Sequence, residues 1–231
     1  MLHDLTKHPG ISRSLPFALF IALLAIELSW TTLQPMVHGL QSLDKRWLYG
    51  IKSGLTALAL FWLWARFEEL QQVPRQIGGW VMAIAVGLGI FVIWINLTQS
   101  WMLLGEMSKG FDPHQADGRM DWLLAAIRLA GSALIVPIME ELFWRSFIMR
   151  WVDKHDFLSL DPREVSQRAL FVSSALFALE HKQWLAGFLA GYAYGWLYRK
   201  TGNVWLSILA HAVTNGVLGL WVLYTGNWQF W

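Results

Sequence analysis

The 231-residue sequence predicts an all-α fold, a polytopic transmembrane helical bundle of about seven spans. Three observations carry that prediction. Hydrophobic residues make up 55% of the chain and charged residues only 15%, with a mean hydropathy of +0.39, which is too little polar material to coat a soluble surface. Apolar runs approach the roughly 20 residues needed to cross a hydrocarbon core. Sixteen tryptophans accompany them, a residue favoured where membrane meets water. Backbone amides in lipid must pair within their own segment, so the runs are read as helices despite their Val, Ile and Trp content.

Taken in order, the first run covers 15–33, after Lys7 and Arg13 and without a small-residue cleavage site, and is read as a retained span. The next runs are 51–65, 79–104 and 120–149, followed by two short ones at 168–181 and 185–197 and a last at 204–224. The two short runs bound the count at six to eight. A polar segment at 153–167, with Asp161-Pro162 inside it, is the longest loop. No linker divides the chain, so residues 1–119 are read as amino-terminal helices and loops, and 120–231 as a second set of helices within one integrated membrane domain.

Loop charges give an orientation. On the amino-terminal side lie Lys7, Arg13, Arg66, Arg75, Arg150, Lys154, Arg163, Arg168, Arg199 and Lys200; opposite them lie Lys45, Arg46, Lys109, Arg119 and Lys182. Ten against five places the amino terminus in the cytoplasm under the positive-inside rule. Net charge is only +2, with no basic run or zinc-finger spacing, which speaks against a nucleic-acid partner. Cysteine is absent, which excludes disulfides, thiolate nucleophiles and Cys-ligated metals.

Polar residues inside such runs need a reason, since a charge at mid-bilayer costs roughly 2.5–3.5 kcal/mol. The fourth run contains Pro137 and then Glu140, Glu141 and Arg145. Glu141 and Arg145 are four apart on one helix face, in the favourable order for an ion pair. Glu140 is turned about 100° away, towards another helix. Pro137 lacks an amide hydrogen and is expected to kink the helix and release a carbonyl near these acids. Phe177 and His181 share a face at the end of the fifth run, and His211 and Asn215 share one in the last. At 1.5 Å of rise per residue, the acids, imidazoles and amide fall at similar depths. Each pair alone reads equally as ordinary packing or hydrogen bonding between helices; their common depth favours one site. The Gly187, Gly191 and Gly195 series predicts close helix packing.

The ordered set Glu140-Glu141-x-x-x-Arg145, Phe177-x-x-x-His181 and His211-x-x-x-Asn215 resembles the CPBP intramembrane glutamic endopeptidases, the CAAX prenyl proteases and Abi proteins. The resemblance runs from about Trp122 to Tyr224. Size and tryptophan content also resemble a bacterial CAAX-protease-related subgroup linked to exosortase systems. What the resemblance implies is a peptidase that cleaves a membrane-anchored, possibly lipidated substrate near its carboxy terminus, with no cofactor. Glu140 would be the general base and His181 its partner on the attacking water. His211 and Asn215 would stabilise the oxyanion, with Glu141, Arg145 and Phe177 in support. It also implies residence in a bacterial inner membrane among lipid, with a polar cavity expected towards the cytoplasm. Two alternatives stay open: a zinc peptidase with Glu140, His181 and His211 as ligands, and a non-catalytic transporter or membrane partner protein. The last accounts for Glu27, Arg128 and Glu180, further ionisable residues within the runs.

Overall fold

The computed structural model describes residues 7–36, 43–107 and 109–231; residues 1–6 of the amino-terminal region therefore lie outside the described residues. Seven longer helices follow one another: α1 (Pro9–Leu28), α2 (Trp47–Leu63), α3 (Ile77–Asn96), α4 (Trp122–Met149), α5 (Gln167–Ala178), α6 (Trp184–Thr201) and α7 (Val204–Thr225). Among the described residues there is no β-strand, only an isolated bridge between His114 and Met120. Five helices, all but α5 and α6, are long and apolar enough to cross a membrane. Their outward faces carry large apolar side chains, with Phe61 81% exposed, the inverse of a soluble protein and suited to lipid. The chain is a polytopic membrane bundle.

Helix limits depart from the apolar runs where capping chemistry overrides hydropathy. α1 begins at Pro9, ahead of the run at 15, because proline is pre-set for the first helical turn and His8 Nδ1 accepts the Gly10 amide at 3.3 Å. α3 stops at Asn96, well short of 104. Its last carbonyls need partners, and Gln183 Nε2 donates to those of Trp94 and Leu97 at 2.8 and 3.1 Å. α5 ends at Ala178, so His181 sits in the turn before α6.

Pro137 does not simply kink α4. The helix widens into π-helical turns at Gly131–Ile135 and Leu142–Met149, on either side of an α-helical Val136–Glu141. In a π register the Ser132 carbonyl would pair with the amide five residues on, which is Pro137 and has none. Asn215 Nδ2 donates to that carbonyl instead, at 2.9 Å. The carbonyl freed by the proline is thus capped from α7.

Contacts between loops define two ends. At one, Arg13 pairs with Glu69 at 2.5 Å, Asn203 Nδ2 donates to the Gln72 carbonyl at 2.6 Å and Arg163 to that of Thr201 at 2.6 Å. Most of the basic loop residues belong here. At the other end, Arg46 donates to the carbonyls of Asp112 and His114 at 3.1 and 2.6 Å, and the Phe111 amide to Trp231 at 3.1 Å. There the Arg46 hydrogen bond holds the Asp44 carboxyl below its ordinary range.

The Gly187, Gly191 and Gly195 face of α6 packs on α5. A Cβ on Gly191 would stand 3.1 Å from Ser174 Cα and 3.2 Å from the Phe177 ring, and one on Gly195 2.4 Å from Leu170. Gly87 does the same between α3 and α7, where a Cβ would meet the Ala210 carbonyl at 2.4 Å. Glycine is what lets these backbones touch.

Candidate active site

Glu140 and Glu141 are neighbours on α4 that face different partners. Glu141 is fully buried and its Oε2 lies 3.0 Å from Arg145 Nε. Its Oε1 lies 2.9 Å from His211 Nδ1 on α7. Sequence reasoning anticipated the first contact and missed the second. Glu140 points to the other side of the same imidazole, with Oε2 3.9 Å from His211 Nε2 and, among the described residues, no hydrogen-bond partner.

Both histidines are held by one ring nitrogen. His181 Nδ1 donates to the Phe177 carbonyl at 2.9 Å, and His211 Nδ1 to the Glu141 carboxylate. The opposite nitrogen, Nε2, is left in each ring for other work. Aromatic rings fix the planes: Tyr194 stacks on His211 at 5.0 Å, Trp94 meets His181 edge-on at 5.2 Å, and Phe177 lies 4.7 Å from His181. Phe177 also carries Arg145, whose guanidinium stands 4.5 Å over its ring and donates to the Gly191 carbonyl at 3.2 Å. Tyr194 and Trp94 left no signal in the sequence, because a ring inside an apolar helix reads as core.

Glu140, His181, His211 and Asn215 all line one cavity of about 190 Å³. Phe177, Tyr194, Trp94 and Trp231 wall it, and Arg128 and Ser132 continue it along α4. Asn215 spends one N–H on Ser132 and retains a second. Among the described residues, no three His, Asp or Glu side chains are arranged to hold a metal ion, so the set Glu140, His181 and His211 gains no geometric support as a ligand set.

Residues 122–217 match a family model described as type II CAAX prenyl endopeptidase Rce1-like. That region, less than half of the chain, is similar to the type II CAAX prenyl endopeptidases. No curated protein and no solved structure matches the chain. The Rce1-like region begins at the first residue of α4 and ends two residues after Asn215, so it includes all four candidate catalytic residues, while Phe230 and Trp231 of the cavity wall lie beyond it.

The cavity lining has a direction within the bundle. From Glu140 the lining runs through Ser132 to Arg128 on α4, from His211 to Leu218 on α7, and up to Phe230 and Trp231. That is the Trp231 end. The basic loops lie at the opposite end of the bundle.

Two other intramembrane acids have structural partners. Glu27 binds Lys52 at 2.7 Å, and Glu180 accepts the Trp144 indole N–H at 2.9 Å. Both are accounted for without a proton relay.

Proposed function

We propose that this protein is an intramembrane endopeptidase that hydrolyses a peptide bond of a membrane-anchored substrate near its carboxy terminus, using a water activated by Glu140. The observation that carries the reading is the convergence of Glu140, His181, His211 and Asn215 on one cavity, in a region similar to the type II CAAX prenyl endopeptidases. Glu140 is buried with an oxygen that bonds to nothing among the described residues, as a base awaiting a water requires. His181 presents Nε2 to the same water.

His211 is the oxyanion donor. Its Nδ1–H is held on the Glu141 carboxylate, which aims Nε2 into the cavity towards the developing negative oxygen. The remaining Asn215 N–H is the second donor. Arg145 pairs with Glu141 and is itself sandwiched by Phe177 and Tyr194, 4.5 and 5.6 Å away. No covalent enzyme intermediate and no cofactor is needed. We place the protein in a bacterial inner membrane with the basic loops in the cytoplasm, so that substrate enters from the opposite face.

The test is turnover of a lipidated fluorogenic peptide by reconstituted protein. Glu140→Gln is expected to abolish hydrolysis while leaving the fold intact; full turnover by that variant would remove Glu140 from the base role. Metal analysis of active protein separates this reading from the zinc alternative: activity is expected to persist in chelator, and stoichiometric zinc lost together with activity would reverse the assignment.

A further inference from the structure

Arg128 stands apart from the buried ion pairs among the described residues. Glu27 with Lys52, Glu69 with Arg13 and Glu141 with Arg145 each form an ion pair at 2.5–3.0 Å. Arg128 forms none among the described residues, and its Nε is buried without a hydrogen-bond partner. Its guanidinium lies 4.0 Å over the Tyr49 ring and 5.5 Å from that of Phe111. Those faces steady the planar fork but accept none of its five N–H donors in line. A cation in a membrane span without a counter-ion is costly unless a ligand completes it.

Arg128 also lines the cavity that holds Glu140. The two are twelve residues apart on α4, a backbone rise of at most roughly 18 Å across its π-helical turn. An extended peptide covers that span with at most about five residues, at 3.3–3.6 Å each. Arg128 lies six residues inside the start of α4 at Trp122, roughly 9 Å from the Trp231 end of the bundle. An anionic group held there stays near the membrane surface while the peptide behind it descends towards Glu140. We propose that Arg128 binds a carboxylate of the substrate no more than about five residues to the carboxy-terminal side of the bond presented to Glu140. The planar guanidinium fits a carboxylate through two parallel hydrogen bonds. The carboxylate is that of the peptide terminus or of an acidic side chain at the same distance. This assignment rests on the peptidase reading, which defines where the scissile bond lies.

The experiment measures binding, not turnover. Full-length Glu140→Gln protein in phosphatidylcholine nanodiscs is titrated with a fluorescent palmitoylated peptide in three forms: free carboxy terminus, carboxy-terminal amide, and amide with Asp as last residue. The free acid is expected to bind about tenfold or more tightly than the plain amide, the scale of a hydrogen bond to a charged group. Adding Arg128→Gln erases that preference while the amide binds as before, which shows that the cavity is intact; Arg128→Lys retains part of it. If the Asp amide matches the acid, the site reads any carboxylate; if it matches the plain amide, the site reads the chain terminus. Equal binding of acid and amide by protein carrying Arg128 overturns the proposal, whether or not the Gln variant folds. Cleavage by the Glu140 protein is scored separately. Acid-selective binding without cleavage sinks the peptidase and keeps the anion site; equal cleavage of acid and amide does the reverse.

Discussion

His211 on α7 and Glu141 on α4 are joined by a 2.9 Å hydrogen bond inside the membrane bundle. Two adjacent acids therefore act on one imidazole from opposite sides, Glu141 at Nδ1 and Glu140 3.9 Å from Nε2. One orients the ring; the other shares the cavity with the nitrogen left over.

Replacing Glu141 tests that division. Glu141→Gln retains an acceptor for His211 but removes the carboxylate that pairs with Arg145. Turnover is expected to fall by about 10²-fold, the scale of one lost oxyanion donor. Thermal stability should fall too, since breaking a buried ion pair leaves a charge uncompensated, at a cost of about 3–5 kcal/mol when the partner is removed outright. The checks are single-turnover rates and a detergent melting curve; a variant that melts lower yet cleaves at the parental rate would confine Glu141 to the scaffold.

Asn215 has a structural duty that can be separated from a catalytic one. It caps the Ser132 carbonyl that Pro137 leaves without an amide. Asn215→Ala is expected to cost about 1 kcal/mol of stability, typical of an interhelical hydrogen bond in a membrane. In a Pro137→Ala background position 137 regains its N–H, so the same substitution should cost less. A double-mutant cycle on melting reads this coupling directly. If Asn215 also donates to the oxyanion, activity stays low in the double variant although stability recovers.

The fold was legible because hydropathy counts length well, and all seven apolar runs coincide with helices. Their ends were not legible, since they depend on caps supplied from far along the chain, as Gln183 caps α3. For the site, spacing alone gave the Glu141–Arg145 pair, because an interval of four is a local property of a helix. The Glu141–His211 bond spans 70 residues and no local rule encodes it. Lys52 sat in an apolar run as the hidden partner of Glu27. The end of the bundle towards which the cavity lining runs was not legible either, because depth counted from the basic end does not say on which side of the acids space is left.

The glycine face of α6 also belongs to the site. Gly191 contacts Phe177, and Phe177 supports His181, His211 and Arg145. Gly191→Val would force α5 and α6 apart and is expected to destabilise by about 1–3 kcal/mol, as overpacking does, and to depress turnover as the Phe177 ring shifts. Gly54→Ala on α2 is the control: nothing lies within 4 Å of the added Cβ, and exchanging glycine for alanine inside a helix stabilises by up to about 1 kcal/mol. Equal activity of both variants would show that the close α5–α6 contact does not position the ring.

Orientation is the most consequential test, because it decides which face supplies the substrate. The chain has no cysteine, so single introduced thiols report without background. Lys154 lies in the loop after α4 at the basic end; Asp117 lies in the loop before α4 at the Trp231 end, and both are exposed. With ten basic residues against five, Lys154→Cys should be shielded from a membrane-impermeant maleimide in intact spheroplasts, and Asp117→Cys labelled. The cavity runs towards the Asp117 side, so a peptide added outside should then be cleaved without crossing the membrane. The reverse labelling pattern would turn the cavity to the cytoplasm and with it the class of substrates that can reach Glu140: the charge bias would have failed, and the geometry of the site would stand unchanged.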